Sequence, residues 1–235
     1  MLRSIGVLLG YGVEATDGRI GFVKDILFNQ YGWCVCHVMI DLTDLIPGKR
    51  VVLPPESFGQ PGTRDTSFPV NLSCEELKNG PTLEIDETAY REHAEELALH
   101  FGWEPCWRCP SVGPEWERGN EPEEDMQMRS CREIMSYDVE ATDGSMGHVE
   151  DLILDDSEWV IRYVVVHTRN WLPGRKVLIA PSWIAQIVWD EQKVCVSHTR
   201  HEVSESPVFD PLEPVNRKYE EVLYDYYGRP KYWDE

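Results

Sequence analysis

Two periods of alternation between apolar and polar residues run along this chain, and the same succession of them occurs twice. A short apolar run at Ile5–Leu9 leads into V-E-A-T-D-G at Val13–Gly18, and Cys131–Met135 leads into the same six residues at Val139–Gly144. Asp17-Gly18 and Asp143-Gly144 predict hairpin turns, because Gly accepts positive φ and Asp tolerates it. Strands are predicted next over Ile20–Phe28 and Met146–Leu154. In the second copy Val149, Asp151 and Ile153 alternate with His148, Glu150 and Leu152. A glycine inside each strand, Gly21 or Gly147, predicts a bulge or a sharp bend. The most β-like segments follow, Trp33–Asp41 and Trp159–Thr168, rich in Val, Ile, Tyr and Trp. Pro47-Gly48 and Pro173-Gly174 turn the chain. Short strands at Lys49–Leu53 and Arg175–Ile179, then at Phe68–Leu72 and Val194–His198, complete each set. About five or six short strands joined by tight turns predict a small closed or half-closed β-barrel in each copy.

The period then lengthens. Tyr90, Ala94, Leu97 and Phe101 share one face of a helix predicted over Glu87–Phe101. Val215, Tyr219, Val222, Leu223 and Tyr226 do so over Pro214–Tyr227. Gly102 and Gly228 stand where a C-capping glycine belongs. Whether each helix packs on its own barrel or on the other is left open.

Laid on each other, the copies keep a constant shift of 126 residues, the spacing from Val13 to Val139. Arg3-Ser4 meets Arg129-Ser130, Asp25 meets Asp151, Trp33 meets Trp159, Gly102 meets Gly228 and Trp107 meets Trp233. The 235 residues therefore divide into a first repeat over 2–107, a linker over 108–127 and a second repeat over 128–233. The fold class is mainly β with α: two small barrels in tandem, each followed by an amphipathic helix and related by a pseudo-twofold axis. The linker is rich in Pro, Gly and Glu and reads as a solvated spacer.

A formal charge of −20 disfavours nucleic-acid binding, which needs a basic patch. No apolar run reaches the roughly 18 residues of a membrane span. Seven cysteines without a regular framework point to a reduced, cytoplasmic chain.

V-x-A-T-D-G-x-x-G-x-V-x-D, then W-x-x-x-Y-x-V-V and W-L-P-G-R-K-V-L-I in the second copy, resemble the PRC-barrel family. The tail P-V-N-R-K-Y-E-E-V-L-Y-D-Y-Y-G-R-P-K-Y-W is similar to that of tandem bacterial members, and the opening M-L-R-S fits them as well. The resemblance covers all but the linker. It implies a barrel like the cytoplasmic domain of the photosynthetic reaction centre H subunit, a non-catalytic cap on the quinone side of its complex. The barrel of a ribosome-maturation factor belongs to the same superfamily. The first repeat departs from the pattern at Trp33-Cys34-Val35-Cys36-His37.

Nucleotide-loop, zincin and nucleophile-elbow motifs are all missing, so a non-enzymatic adaptor is expected, with a protein partner. Association with a membrane or photosynthetic electron-transfer complex follows from the resemblance alone. Homodimerisation and peripheral membrane attachment are compatible with this reading; a cofactor, nucleic acid and membrane insertion are not expected. Dense tail aromatics make Tyr224, Tyr226, Tyr227, Tyr232 and Trp233 the candidate partner contacts. Asp17, Gly18, Asp143, Gly144, Pro47, Gly48, Pro173 and Gly174 read as structural turns. The alternative is a metal- or redox-responsive protein working through Cys106 and Cys109, a C-x-x-C without a second pair to complete a zinc site. A third reading, an RNA-maturation factor, conflicts with the charge. Cys34 and Cys36 fall on one strand face and His37 on the other, so they read as packing.

Overall fold

The computed structural model describes residues 1–61, 66–80, 99–100, 128–168 and 175–234. The chain is mainly β and forms two compact units, Gly6–Arg132 and Met1–Ile5 together with Glu133–Glu235.

In the first unit, β2 (Gly12–Ala15) and β3 (Gly18–Asn29) form a hairpin whose loop is Thr16-Asp17, with Ala15 opposite Gly18. β4 (Val35–Asp41) pairs antiparallel with the other edge of β3, and β5 (Arg50–Leu53) with β4. β6 (Ser67–Pro69) runs parallel to β2, giving the order β5-β4-β3-β2-β6. The short helix α2 (Cys74–Asn79) follows a single helical turn, α1 (Ile5–Leu8), that precedes β2. One more strand, β7 (Met128–Ser130), lies against Leu27–Asn29 of β3.

The second unit repeats this plan. α3 (Cys131–Ile134) is again a single turn; β8 (Asp138–Ala141) and β9 (Gly144–Asp155) form the hairpin; β10 (Val160–His167) and β11 (Lys176–Ile179) extend the sheet. On the other side lie β13 (Lys193–Val196), parallel to β8, and β12 (Ile184–Val188), antiparallel to β13. α4 (Arg200–Glu205) and α5 (Arg217–Tyr227) follow. The added strand here is β1 (Leu2–Ser4), paired with Ile153–Asp155 of β9.

The opening strand of each repeat therefore completes the sheet of the other. Two shared features of the repeats hold it there. Ser130 Oγ donates to Asp25 at 2.6 Å, Asp25 also accepts the Arg132 N–H at 3.2 Å, and Arg129 Nε reaches Gln30 at 3.1 Å. In the second unit Ser4 donates to Asp151, and Arg3 and the Met1 ammonium both bond the buried Asp156. Asp25 and Asp151, which occupy the same position in the two copies, are strand anchors.

Among the described residues each sheet is an open path of strands, six in the first unit and seven in the second, and not the closed barrel expected from the turn spacing. The long β3 and β9 bend at their glycines. A Cβ at Gly21 would lie 1.8 Å from the Asp41 carbonyl oxygen, and one at Gly147 would lie 2.0 Å from that of His167. Beside each glycine the hairpin register skips one residue, Ile20 or Met146, so the expected bulge is present. β4 and β10 are buried at every position but the last, which is why they read as unbroken apolar runs.

The β3–β4 and β9–β10 turns close with a left-handed tryptophan. Trp33 (φ 54) donates its N–H to the Asn29 carbonyl at 2.8 Å, and Trp159 (φ 55) to that of Asp155 at 2.7 Å. The strands begin after them and not at them. Ile46-Pro47-Gly48-Lys49 is a hydrogen-bonded turn with Gly48 at φ 80, as the Pro-Gly pair requires. Pro173-Gly174, the linker over 108–127 and nearly all of the helix expected over Glu87–Phe101 lie outside the described residues. Among the described residues no helix is long and apolar enough to cross a membrane.

Candidate functional site

Among the described residues the tail of the second repeat carries the densest chemistry. α5 starts at Asn216, whose side chain accepts the Tyr219 N–H at 3.1 Å, and ends at Gly228 in the left-handed conformation (φ 59). It begins three residues later than the periodicity suggests, because Asn216 caps it and Pro214-Val215 stay outside. Its apolar face packs on its own repeat's strands. Leu223 and Tyr224 are buried, and the Trp183 ring stands 5.1 Å from Tyr224 and 4.6 Å from Tyr227.

A carboxylate sits inside that face. Glu220 is only 2% exposed and accepts the hydroxyls of Tyr163 (2.7 Å) and Tyr232 (2.8 Å). Arg217, one turn earlier, lies 3.1 Å from the second carboxylate oxygen. The Arg162 guanidinium covers the Tyr232 ring at 4.0 Å and Arg217 covers Trp233 at 4.0 Å. Arg162 and Tyr163 are neighbours on β10, where strict alternation would aim them to opposite faces. The β9–β10 register shifts between Ile161 and Tyr163, so Arg162 is a bulged residue and both side chains reach the tail.

Burial raises the pKa values of these phenols. Tyr163 and Tyr232 are pushed above the ordinary tyrosine range, by desolvation first and by the Glu220 carboxylate as well. Desolvation takes Tyr224 and Tyr227 up to about 12. All four therefore remain hydroxyl donors across the physiological range. His198, packed 4.6 Å from the Tyr227 ring, is pushed down by burial and then by Arg229, which favours the neutral imidazole.

Of the five tail aromatics singled out from sequence, Tyr224 is core, while Tyr227, Tyr232 and Trp233 are half-buried in this network. Tyr226 differs. It is 41% exposed, with its hydroxyl on the Glu202 carbonyl at 2.7 Å, and Val222 one turn before it is 53% exposed.

The turn aspartates reach forward to short helices. Asp17 accepts the Cys74 N–H and Asp143 the Arg200 N–H, each at 2.8 Å, at the first residue of α2 and of α4. These bonds hold both carboxyls below their usual range. Ser73 with Glu76, and Thr199 with Glu202, form reciprocal capping boxes at the same helix starts. At the other end of α2, Lys49 Nζ donates to the Lys78 and Gly80 carbonyls at 2.7 and 2.8 Å; Arg175 donates to the Ser206 carbonyl after α4.

Cys34 precedes β4, and the β3–β4 register skips Cys36, so the strict alternation expected across Cys34, Cys36 and His37 is broken by a bulge. All three are buried. Among the described residues no group of three or more His, Cys, Asp or Glu side chains is placed to hold a metal ion. Cys106 and Cys109 lie outside the described residues.

The residues that sequence reasoning passed over are Arg162, Tyr163, Arg217 and Glu220. A signal existed: Glu220 interrupts the apolar stripe of α5, and the first repeat has Cys36, His37 and Ala94 where the second has Arg162, Tyr163 and Glu220. No protein-family model matches this chain, and no curated protein matches it either.

Proposed function

We propose that the chain is a non-enzymatic adaptor of the tandem PRC-barrel type, acting in the cytoplasm on a protein partner that belongs to a membrane or electron-transfer complex. The carrying observation is the use to which the duplicated polar residues are put. Asp17 and Asp143 cap helices, Asp25 and Asp151 anchor strands, and Lys49 and Arg175 close helix C-termini. What the two repeats share is spent on architecture. The second repeat carries an aromatic tail on a capped helix, with Val222 and Tyr226 presented one turn apart on its outer side. An apolar and aromatic pair on a preorganised helix suits a protein contact. The thiols of Cys74 and Cys195 suit a reducing compartment.

The test is capture on immobilised full-length chain from solubilised membranes, followed by reconstitution with the identified partner. Val222→Asp with Tyr226→Ala is expected to weaken that binary binding at least tenfold. Equal binding by the double variant, or no partner that reconstitutes, would refute the reading.

A further inference from the structure

The second unit carries a feature that the adaptor reading does not use. His148 on β9 and His167 on β10 are directly opposite each other, at the end of the β9–β10 ladder. Their ring centroids are 5.3 Å apart and their planes are nearly perpendicular, at 89°. Both are half-exposed. Gly147 holds the strands close at this point, since any side chain there would strike the His167 carbonyl. On the far side of His148 its cross-strand neighbour is Asp138, and beyond His167 stands Lys176, whose ammonium is paired with Glu150 at 2.6 Å.

We propose that His148 and His167 form a two-imidazole site for a late first-row divalent cation of the Zn²⁺ or Co²⁺ class. Such ions take imidazole nitrogen at about 2.1 Å in tetrahedral sites. Two rings on one tetrahedral ion then have centroids separated by about 5 Å, by the same bond lengths and angle. The rings thus already stand at the spacing that the ion requires, and chelation needs rotation about side-chain bonds and no movement of the strands. Among the described residues no third His, Cys, Asp or Glu joins the pair. Asp138 supplies a carboxylate beside the site that favours positive charge. The first repeat has Phe22 and Asp41 at the corresponding positions, so the site belongs to the second unit alone.

Two protein ligands make an exchangeable site, in which each imidazole matters. The experiment is a Co²⁺ titration of full-length chain carrying Cys106→Ser and Cys109→Ser, followed by calorimetry and visible absorption. One ion per chain is expected, without thiolate-to-metal charge-transfer absorption. His148→Ala and His167→Ala are each expected to weaken binding at least tenfold. His167→Asn serves as a second variant should the alanine disturb the sheet. Absence of binding in the serine background, or binding unchanged in the histidine variants, would overturn the assignment.

Discussion

Replacing Glu220 by Ala tests how the tail is held. The substitution leaves two phenol hydroxyls and one guanidinium without their acceptor. Tyr163 is fully buried, so its hydroxyl bears the full desolvation penalty, about 1–3 kcal/mol. Tyr232 is half-buried and can turn to water, so its share is about 1 kcal/mol. The Arg217 side chain is 49% exposed, and its ion pair contributes about 0–1 kcal/mol after solvent screening. The expected destabilisation is therefore about 3–4 kcal/mol. Urea denaturation followed by near-ultraviolet circular dichroism reads it through the packed Tyr and Trp rings. Adding Tyr163→Phe to Glu220→Ala removes the orphaned hydroxyl and should restore about 1–2 kcal/mol, giving a double-mutant cycle with favourable coupling. A loss below about 1 kcal/mol for Glu220→Ala, or no recovery in the double variant, would refute the claim that this carboxylate is the tail's acceptor.

Removal of residues 1–5 should accelerate amide hydrogen exchange in Ile153–Asp155 of β9 and leave Leu27–Asn29 of β3 protected, because Leu2–Ser4 pairs only with the former. Faster exchange in β3 instead would contradict the exchange of opening strands. The turn and anchor aspartates should respond to acid with opposite signs. Asp17 and Asp143 have depressed pKa values, so their contribution is present above about 3.8 and is lost as the pH falls through the folded values. Asp17→Asn or Asp143→Asn should flatten stability at the acid end of the profile. Burial raises Asp25, so its contribution is fully present below 3.8 and is lost as the pH rises through the folded value; Asp25→Asn should remove that decline. Stability measured by denaturant midpoints between pH 2.5 and 7 checks both, and slopes of equal sign would defeat the assignment.

Much of this architecture was legible because local chemistry dictated it. Pro47-Gly48 before a strand and Gly228 after a periodic segment each had one cheap backbone solution, and the structure takes it, whereas the Asp-Gly pairs end their hairpin loops with the glycine already in the next strand. The bulge beside Gly21 and Gly147 was legible for the same reason. What could not be read was long-range choice. Arg3-Ser4 and Arg129-Ser130 are the same dipeptide, and Asp25 and Asp151 are the same acceptor, so either pairing satisfies the sequence. Barrel closure is likewise a property of strand order, which turn spacing does not determine. α2 and α4 were missed although S-x-x-E at Ser73 and T-x-x-E at Thr199 announced them. Each runs for only 6 residues, too few for periodicity to show. At the tail, amphipathic spacing identified the helix, but the bulge at Arg162 made β10 depart from its own alternation. Neighbouring residues with unlike side chains consequently act on one site.

The exchange of opening strands also bears on the order in which the protein is made. Synthesis runs from the N-terminus, and domains ordinarily fold as they emerge. Here the first unit lacks a strand until Met128–Ser130 has left the ribosome, so its sheet stays unfinished while the whole linker is being translated. Leu2–Ser4 waits longer still, emerging before the first sheet yet finding its partner only after Asp155. A bare edge on β3 invites pairing with another nascent chain during that interval. The Arg-Ser and Asp anchors thus serve as late-arriving latches, and a pause in translation before residue 128 is the moment at which this chain is most exposed to misassembly.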